Sequence, residues 1–394
     1  MPITDAQGLS LSADIASTLD SPPYDKSMMD GFAVMSADIL GKPSDDPIEL
    51  TVQEEIMAGQ VPRSPLAPGC ATRIMTGAPL PEAADAVVML EESAAGEPRD
   101  GTTYVQLRPQ NFRKGQNILP RGASMKVGDT VLRQGDALTP AVIGLLAEMG
   151  FDKVDVCPPP RVAALSTGDE LVDFTAQPAA GQIRNSNGPM LAAQIRAARA
   201  IPIELGIARD NESALRNAIS RGIKADILLL SGGVSAGDLD LVPGVLQSLG
   251  VRQVFHKVFL KPGKPLWFGV RDSDADRSNP TLVFGLPGNP VSSFVCFELF
   301  VRPAIRKLMG RRALHRQMLS FPLAEAYTYR GGRPVYLPAV TEESEEGPCV
   351  RVLAWRGSAD LRRLAEANAL IQLSQEAREY ASGDSVPVLS LFED

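Results

Sequence analysis

The sequence predicts a multidomain protein in which an α/β domain is accompanied by smaller β structure. Strand-like and helix-like segments alternate from Arg161 to Met309, and this alternation is typical of a doubly wound α/β sheet. The preceding residues are rich in glycine and proline and contain short β-type runs, such as Ala86–Met89 and Tyr104–Leu107. The chain has 394 residues, which is too long for one ordinary hydrophobic core.

The individual elements follow from the spacing of apolar residues. The segment TPAVIGLLAEMG (139–150) predicts a helix, because a threonine N-cap precedes it and a glycine ends it. Strands of the α/β domain are expected at 162–165, 203–207, 225–230, 254–260, 266–268 and 281–284, and its helices at 189–200, 212–221, 242–249 and 290–309. The residues after Gly310 predict a small β domain that ends in a strand at 386–391.

Composition and charge exclude several classes of protein. The net charge of −8 gives the whole chain no electrostatic footprint for nucleic acid or for an anionic membrane. No apolar run approaches the ~20 residues that cross a bilayer, and the polar N-terminus lacks the features of a signal peptide, so we expect a cytoplasmic protein. The two histidines argue against histidine-rich metal sites, and the four scattered cysteines are expected to be buried free thiols.

Three loops of unusual composition follow strands of the predicted sheet. They are STGDE (166–170), SGGVSAGDLD (231–240) and LPGNPVSS (286–293). Ligands of open α/β sheets bind beyond the carboxyl ends of the strands, and glycine-rich loops that lead into helices present backbone N–H groups to anions. The loops therefore predict an anion site, although each of them alone is also compatible with an ordinary turn.

Acidic residues in two of these loops predict a divalent cation. Asp169, Glu170, Asp238 and Asp240 are expected at one edge of the sheet. Carboxylates beside a phosphate-binding loop commonly share a Mg²⁺ ion with the phosphate. The alternative for each pair is a helix N-cap and first-turn acid, and the sequence leaves it open.

A compact basic motif follows at KPGKP (261–265). Prolines and a glycine fix the backbone that presents Lys261 and Lys264, so that the two ammonium groups form a small positive site for an oxyanion. Together with the loops, this motif indicates phosphoryl or nucleotidyl chemistry.

These motifs resemble the MoeA family, which includes the E domain of gephyrin and of the plant cofactor-synthesis proteins. The resemblance extends from about Gly8 to the C-terminus. It is carried, in family order, by PPYDKSMMDGFAV (22–34), ATRIMTGAPLPEAADAVVMLEE (71–92), PRVAALSTGDELV (160–172), GQIRNSN (181–187), ADILLLSGGVSAGDLD (225–240), KPGKP (261–265) and GLPGNPVSS (285–293).

The resemblance implies four domains. They are an elongated linker domain (1–29 and 131–157), a small β domain (30–130), a doubly wound α/β molybdopterin-binding domain (158–311) and a C-terminal β-barrel (312–394). It also implies a homodimer whose active site lies between the α/β and barrel domains of one subunit and the β domain of the other.

The reaction implied by the resemblance is the insertion of molybdate into adenylylated molybdopterin, with release of AMP and with help from Mg²⁺. A separate molybdopterin adenylyltransferase would supply the substrate. The resemblance implies catalytic roles for Asp30, Glu170, Asp240, Lys261 and Lys264. It implies molybdopterin or phosphate binding by Thr167, Gly232, Gly233, Ser235 and Asp238, molybdate binding by Lys261, Lys264, Ser292, Arg333 and Ser358, and metal binding by Glu170, Asp238 and Asp240.

Two departures from the family pattern keep an alternative function open. An acidic pair usually follows Arg-Gly in the β domain, but here Ala123 and Ser124 follow Arg121-Gly122. The N-terminus is also expected to lack a long first helix, which bears on the dimer. The alternatives are a weak or inactive molybdopterin-binding carrier, and a nucleotide pyrophosphatase of the competence-damage type built on the same α/β domain.

Overall fold

Residue contacts divide the chain into two units, which are described one at a time. The first unit comprises Met1–Ser12, Gly135–Val142 and Val154–Asp394, and the second comprises Ala13–Gln134 and Ile143–Lys153. The computed structural model describes residues 1–42, 46–233, 241–273, 279–345 and 347–391. The division into four domains is finer than these units and remains a prediction.

A six-stranded sheet forms the centre of the first unit. Its strands, in order across the sheet, are Ile201–Ala208, Arg161–Thr167, Ile227–Ser231, Thr281–Leu286, Trp267–Arg271 and Val251–His256. The first four strands are parallel, and Trp267–Arg271 runs antiparallel to both of its neighbours. Every residue of Ile227–Ser231 is buried, as expected for a parallel strand with both faces covered. The predicted mixed α/β architecture is confirmed.

Three helices connect strands of this sheet: Asn187–Ala197, Glu212–Gly222 and Val242–Ser248. A fourth, Pro290–Cys296, follows the strand Thr281–Leu286. The side chain of Asn211 caps the helix Glu212–Gly222 by accepting a hydrogen bond from the N–H of Ala214 at 2.9 Å. Leu215 and Ile219 of this helix are buried in one cluster with Leu165 and Leu230 of the sheet. This apolar cluster fixes the sheet whose strand ends carry the candidate site.

Two elements of the sheet region differ from the sequence prediction. The helix expected at 290–309 is interrupted by a π-helical turn, Phe297–Val301, and resumes at Arg302–Leu308. Pro303 explains the interruption, because proline lacks the N–H that an α-helix needs and its ring would contact the carbonyl one turn earlier. The strand expected at 254–260 ends at His256, because Lys257 takes a left-handed conformation with a φ of 72°.

Antiparallel β structure forms the C-terminal part of the first unit. A five-stranded sheet has the order Met318–Pro322, Ser385–Ser390, Ala369–Leu373, Val335–Ser344 and Gly347–Val352. A smaller antiparallel pair joins Tyr327–Tyr329 to Arg378–Tyr380, and a short helix spans Leu361–Glu366. Outside this region, Leu171–Val172 and Ile183–Arg184 form a short parallel pair after the first strand of the α/β sheet. The β structure expected after Gly310 is therefore present, while its closure into a barrel remains a prediction.

A second six-stranded sheet forms the core of the second unit. Its order is Ala86–Met89, Gly31–Val34, Cys70–Ile74, Ile48–Ile56, Tyr104–Leu107 and Ser93–Ala95. Short strands pair Ile15–Ala16 with Thr130–Leu132 and Lys26–Ser27 with Ile118–Leu119. Gly31 is required where the first two strands meet, since a Cβ there would lie 2.0 Å from the carbonyl oxygen of Val88. The remaining helices are Pro140–Glu148 and the 3-10 turns Ile3–Asp5, Ser36–Asp38 and Leu90–Glu92.

The structure tests the predictions made for the cysteines and for membrane-spanning helices. All four cysteines are free, but only Cys296 and Cys349 are buried, whereas Cys70 and Cys157 are partly exposed. The prediction that the four cysteines are free thiols is confirmed. The prediction that they are buried is confirmed for two of the four. Within the described ranges, no helix is long and apolar enough to cross a membrane.

A buried ionic network is centred on Glu298, which lies in the π-helical turn Phe297–Val301. The carboxylate of Glu298 accepts hydrogen bonds from Nε of Arg302 at 2.7 Å, Nε of Arg316 at 2.9 Å and the side-chain amide of Gln194 at 2.8 Å. Burial raises the pKa of Glu298, but the hydrogen bond and charge of Arg302 and the charge of Arg316 outweigh it and lower the pKa. Glu298 is therefore ionised in the folded protein at neutral pH.

Replacement of Glu298 by glutamine is expected to lower the free energy of unfolding at pH 7 by roughly 3 kcal/mol, because it leaves two buried guanidinium groups without their carboxylate. The lowered pKa means that this stabilisation is present above the ordinary value of 4.5 and is lost as pH falls through the folded-state value. Urea denaturation of wild type and E298Q at several pH values checks both points.

The matched control is Glu204→Gln, because Glu204 forms an exposed ion pair with Arg196 at 2.9 Å. This change is expected to alter the free energy of unfolding by no more than about 0.5 kcal/mol. Equal effects of the two substitutions, or an E298Q deficit that stays constant down to acidic pH, would contradict the assigned role of Glu298.

Candidate functional site

The three predicted loops begin at neighbouring strand ends of the central sheet. Ser166 is in register with Ser231, and Ser231 is in register with Leu286, so the loops leave the same edge of the sheet side by side. Parallel strands place their carboxyl ends together, which is where open α/β sheets bind ligands. The prediction that the three loops begin at one edge of the sheet is confirmed by this register.

The loop after Ser231 passes so close to Thr167 that only glycine fits. A Cβ on Gly232 would lie 2.5 Å from the carbonyl oxygen of Thr167, and a Cβ on Gly233 would lie 2.7 Å from its hydroxyl oxygen. Both glycines have positive φ, 96° and 60°. The buried Thr167 hydroxyl has no hydrogen-bond partner among the described residues. An unpaired buried hydroxyl is costly, and a ligand atom at this place would satisfy it.

Two asparagines of the GQIRNSN segment tie the loops together, and the sequence analysis assigned them no role. The side-chain amide of Asn187 donates to the hydroxyl of Ser231 at 2.6 Å and to the carbonyl of Gly288 at 2.7 Å. The side-chain oxygen of Asn185 accepts from the hydroxyl of Ser166 at 3.0 Å. One short segment therefore connects all three strand ends. The sequence offered one indication of this role, which is that both asparagines lie within the GQIRNSN motif. Asparagine is seldom buried unless its side chain makes hydrogen bonds.

Of the four acidic residues predicted at the sheet edge, the structure describes Asp169 and Glu170. Glu170 is exposed, and Asp169 accepts a hydrogen bond from the N–H of Asp210 at 3.1 Å. Burial, together with repulsion from Asp169 and Glu170, raises the pKa of Asp210, which the sequence analysis did not single out. Carboxylates thus crowd beside the first loop.

Three of the predicted site residues, Ser235, Asp238 and Asp240, lie outside the described residues. Among the residues that the structure describes, no group of three or more His, Cys, Asp and Glu side chains could hold a metal ion. Because two of the three predicted metal ligands are outside that set, the metal assignment remains a prediction.

A cleft of about 480 Å³ contains the KPGKP motif, and we call it the KPGKP cleft. All five residues predicted to bind molybdate line it: Lys261, Lys264, Ser292, Arg333 and Ser358. Three of them are cations and two carry hydroxyl groups. Its described lining contains no carboxylate, so the cleft is positive within a protein of net charge −8. An arrangement of this kind suits a small, multiply charged oxyanion.

Main-chain hydrogen bonds hold the KPGKP motif in place. The N–H of Lys261 donates to the carbonyl of Pro334 at 2.9 Å, and its carbonyl accepts from the N–H of Tyr336 at 2.8 Å. The carbonyl of Lys264 accepts from the N–H of Val258 at 2.9 Å. Arg333 is fixed in turn, because its guanidinium donates to the carbonyl of Leu260 at 2.7 Å. The cations of the cleft are therefore presented by a rigid backbone.

The helix Pro290–Cys296 closes the other side of the KPGKP cleft. The N–H of Val291 donates to the carbonyl of Ser358 at 3.0 Å, which joins this helix to the C-terminal region of the first unit. A Cβ on Gly263 would lie 2.6 Å from the sulfur of Cys296, so the motif packs tightly on the helix. Burial raises the pKa of the Cys296 thiol to about 12, which makes Cys296 a packing residue and not a nucleophile.

Asp30 belongs to the second unit and is exposed. One of its carboxylate oxygens accepts from both the N–H and the hydroxyl of Thr76, each at 2.7 Å. These two hydrogen bonds lower the pKa of Asp30, so it is an oriented carboxylate that stays ionised at neutral pH. The contact joins the MMDG and TGAP motifs. The sequence analysis missed Thr76, which is 46 positions from Asp30.

The turn that lacks the family's acidic pair is nevertheless well formed. Gly122 and Ser124 donate their N–H groups to the carbonyls of Pro22 and Ser21, both at 2.9 Å. The side chains of Ala123 and Ser124 are exposed. The departure from the family pattern therefore removes carboxylates without removing the turn.

Fold and site together define a multidomain α/β protein with a positive, hydroxyl-lined cleft beside a glycine-rich sheet edge. Residues 1–150 match the MoeA N-terminal region (domain I and II), residues 163–307 match a probable molybdopterin binding domain, and residues 320–391 match the MoeA C-terminal region (domain IV). These matches include regions before and after the α/β domain.

Similar proteins and structures match nearly the whole chain. A molybdopterin molybdenumtransferase of Staphylococcus aureus is 34% identical over 383 residues, 96% of this chain and 88% of that protein. Molybdopterin molybdenumtransferase 2 of Mycobacterium tuberculosis is 36% identical over 397 residues, 99% of this chain and 94% of that protein. The crystal structure of a molybdopterin biosynthesis MoeA protein from Pyrococcus horikoshii is 29% identical, with a TM-score of 0.81, and covers 99% of this chain and 93% of that one.

The chain belongs to the MoeA family, and the resemblance seen in its sequence is confirmed. The competence-damage alternative is disfavoured, because it accounts only for the α/β domain and leaves the matches at 1–150 and 320–391 unexplained. The roles of the individual site residues remain predictions.

Asn187→Ala is expected to lower the free energy of unfolding by about 2 kcal/mol, because it leaves the buried hydroxyl of Ser231 without its donor. Urea denaturation measures this difference. Asn217→Ala is the matched control, since Asn217 is exposed on the helix Glu212–Gly222 and should change stability by less than about 0.5 kcal/mol. A loss at Asn187 no larger than at Asn217 would show that the three loops do not depend on this side chain.

Proposed function

We propose that this protein is a molybdopterin molybdenumtransferase, which converts adenylylated molybdopterin and molybdate into molybdenum cofactor and AMP. The observation that carries the proposal is the KPGKP cleft, where three cations and two hydroxyl side chains line one cavity without a carboxylate among its described residues. The names of the relatives that match nearly the whole chain support the same activity.

The KPGKP cleft would hold molybdate. A tetrahedral dianion needs converging positive charge and hydrogen-bond donors, and Lys261, Lys264 and Arg333 supply both. Ser292 and Ser358 add hydroxyl donors. Because the backbone that carries the lysines is fixed by main-chain hydrogen bonds, little reorganisation is needed when the anion enters.

The glycine-rich edge of the sheet would bind the phosphate region of adenylylated molybdopterin. Gly232 and Gly233 allow the backbone to approach a phosphate closely, and the buried Thr167 hydroxyl needs a partner that a phosphate oxygen can provide. Ser235 and Asp238, on the same loop, are proposed to complete this part of the site.

A Mg²⁺ ion would be held by carboxylates that follow two strands of this sheet in the sequence. We assign Glu170, Asp238 and Asp240 as its ligands, because oxygen donors beside a phosphate are what this cation prefers, and the acidic crowding around Glu170 suits a positive ion. A Mg²⁺ ion held by these carboxylates would supply charge neutralisation for the phosphate groups of the substrate. Lys261 and Lys264 would stabilise the negative charge of molybdate as it enters the dithiolene.

Asp30 is proposed as a further carboxylate of the active site, which its lowered pKa keeps ionised at neutral pH. We also propose that the protein is a cytoplasmic homodimer. A separate adenylyltransferase would supply its substrate. The carrier alternative rests on the missing acids at Ala123 and Ser124. It is less favoured, because the relatives that match the whole chain are named as transferases.

Lys264→Gln is expected to raise the KM for molybdate by roughly 10-fold or more, because it removes one charge-assisted hydrogen bond from the oxyanion. The measurement is AMP release from adenylylated molybdopterin as a function of molybdate concentration. Lys307→Gln is the control, since Lys307 is an exposed lysine in the last turn of the helix Arg302–Leu308 and does not line the cleft. An unchanged KM for molybdate in K264Q would exclude the KPGKP cleft as its binding site.

A further inference from the structure

The KPGKP cleft is larger than a tetrahedral oxyanion requires. Its volume of about 480 Å³ lies within the range of about 300–1,000 Å³ that is typical of pockets for whole small molecules. Molybdate is a single compact anion, and it would fill only the part of the cleft that the cations and hydroxyl groups line. The remainder of the cleft is therefore open to another part of the substrate.

The rest of the described lining of the KPGKP cleft is largely apolar. It includes one tryptophan, Trp355, and three prolines, Pro262, Pro265 and Pro287. Pockets for small molecules commonly combine an apolar wall with a few polar groups that fix the orientation of the ligand. The KPGKP cleft therefore offers one part for an anion and another part for an uncharged group.

Packing on two apolar clusters positions Trp355. One cluster is the core of the C-terminal sheet, which includes Val335 and Ile371. The other includes Leu260, which directly precedes the KPGKP motif, and Val291 of the helix that closes the cleft. The indole is therefore held in place relative to the two lysines of the motif.

The two tryptophans of the chain have different surroundings. Trp267 is only 2% exposed, and its indole N–H donates to Oε1 of Gln253 at 2.9 Å. Trp355 is partly exposed, and its indole N–H has no hydrogen-bond partner among the described residues. A tryptophan that serves only the core usually pairs its N–H, as Trp267 does. Trp355 instead leaves part of its ring available to a ligand.

Trp355 also borders a second cavity, of about 280 Å³, whose lining includes Tyr327, Val352 and Leu353. This cavity shares no other residue with the KPGKP cleft. A group that packs on the indole can therefore extend beyond the cleft without meeting a filled core.

We propose that Trp355 is a specificity-determining residue, which packs against a planar heteroaromatic ring of the substrate while the cations of the same cleft hold molybdate. This inference rests on the proposed function, because adenylylated molybdopterin contains two such rings, the pterin and the adenine. Aromatic side chains bind planar heterocycles by stacking, and removal of one such contact typically weakens binding by about 5-fold to 100-fold. Ring and molybdate would then be neighbours in one cleft.

The test is calorimetric titration of the full chain with adenylylated molybdopterin in the absence of molybdate. Trp355→Leu keeps an apolar side chain against the two clusters but removes the aromatic face, so it should weaken binding roughly 10-fold or more. Trp355→Phe retains an aromatic face and should stay within about 3-fold of the wild type. Phe259→Leu is the matched control, since Phe259 is exposed and lines neither cavity, and it should leave binding unchanged.

Separate titrations with AMP and with unsubstituted pterin identify the ring. Weaker binding of AMP to W355L than to W355F assigns the contact to the adenine. The same difference with pterin assigns the contact to the pterin.

A titration with molybdate separates contact with the ring from a structural role. The lysines are held by main-chain hydrogen bonds that W355L does not remove, so this variant should bind molybdate as the wild type does. A general disturbance of the cleft would instead weaken the binding of molybdate and of the organic substrate together.

Two results would overturn the proposal. One is equal affinity of W355L and W355F for adenylylated molybdopterin. The other is a loss of molybdate affinity in W355L as large as its loss of affinity for the organic substrate. Failure of the proposed function is distinguishable from both, because it would be seen as binding that depends on Trp355 without molybdate-dependent release of AMP.

Discussion

The segment Lys261–Pro265 is held on both of its sides by main-chain hydrogen bonds, and the candidate site depends on this constraint. Lys261 is bonded through its own N–H and carbonyl to Pro334 and Tyr336, and the carbonyl of Lys264 is bonded to Val258. Converging cations repel one another, so a flexible loop would let the two lysines separate. Here the backbone is fixed before any anion binds. The folding free energy of the first unit offsets the repulsion between the two lysines.

The same constraint links the cleft to the sheet edge. Gly263 packs on Cys296 of the helix Pro290–Cys296, and that helix follows the loop whose Gly288 carbonyl is bonded by Asn187. Asn187 also bonds Ser231, where the glycine-rich loop begins. The positive cleft and the proposed phosphate-binding edge are therefore positioned by one continuous set of hydrogen bonds and close contacts. A reaction that brings an oxyanion to a phosphate-anchored substrate needs this kind of fixed separation between its two binding regions.

The sequence predicted the parts of this arrangement that depend on local pattern. The buried run ADILLL, the alternation of strands and helices, and the lysines of KPGKP are each recognisable from a few neighbouring residues, and the structure has the corresponding strands, helices and cleft. The role of Asn187 was not predictable in this way, because it depends on bonds to residues 44 and 101 positions away. The contacts of Thr76 with Asp30 and of Gln194 with Glu298 are likewise non-local.

Molybdate-dependent release of AMP from adenylylated molybdopterin by the unmodified protein, in the presence of Mg²⁺, tests the central claim most directly. The account predicts AMP release when molybdate is supplied, in proportion to the molybdenum cofactor formed, and little release without molybdate. Tight binding of the substrate without AMP release would contradict the transferase function and indicate a carrier. AMP release at the same rate without molybdate would show that the KPGKP cleft does not bring molybdate into the reaction.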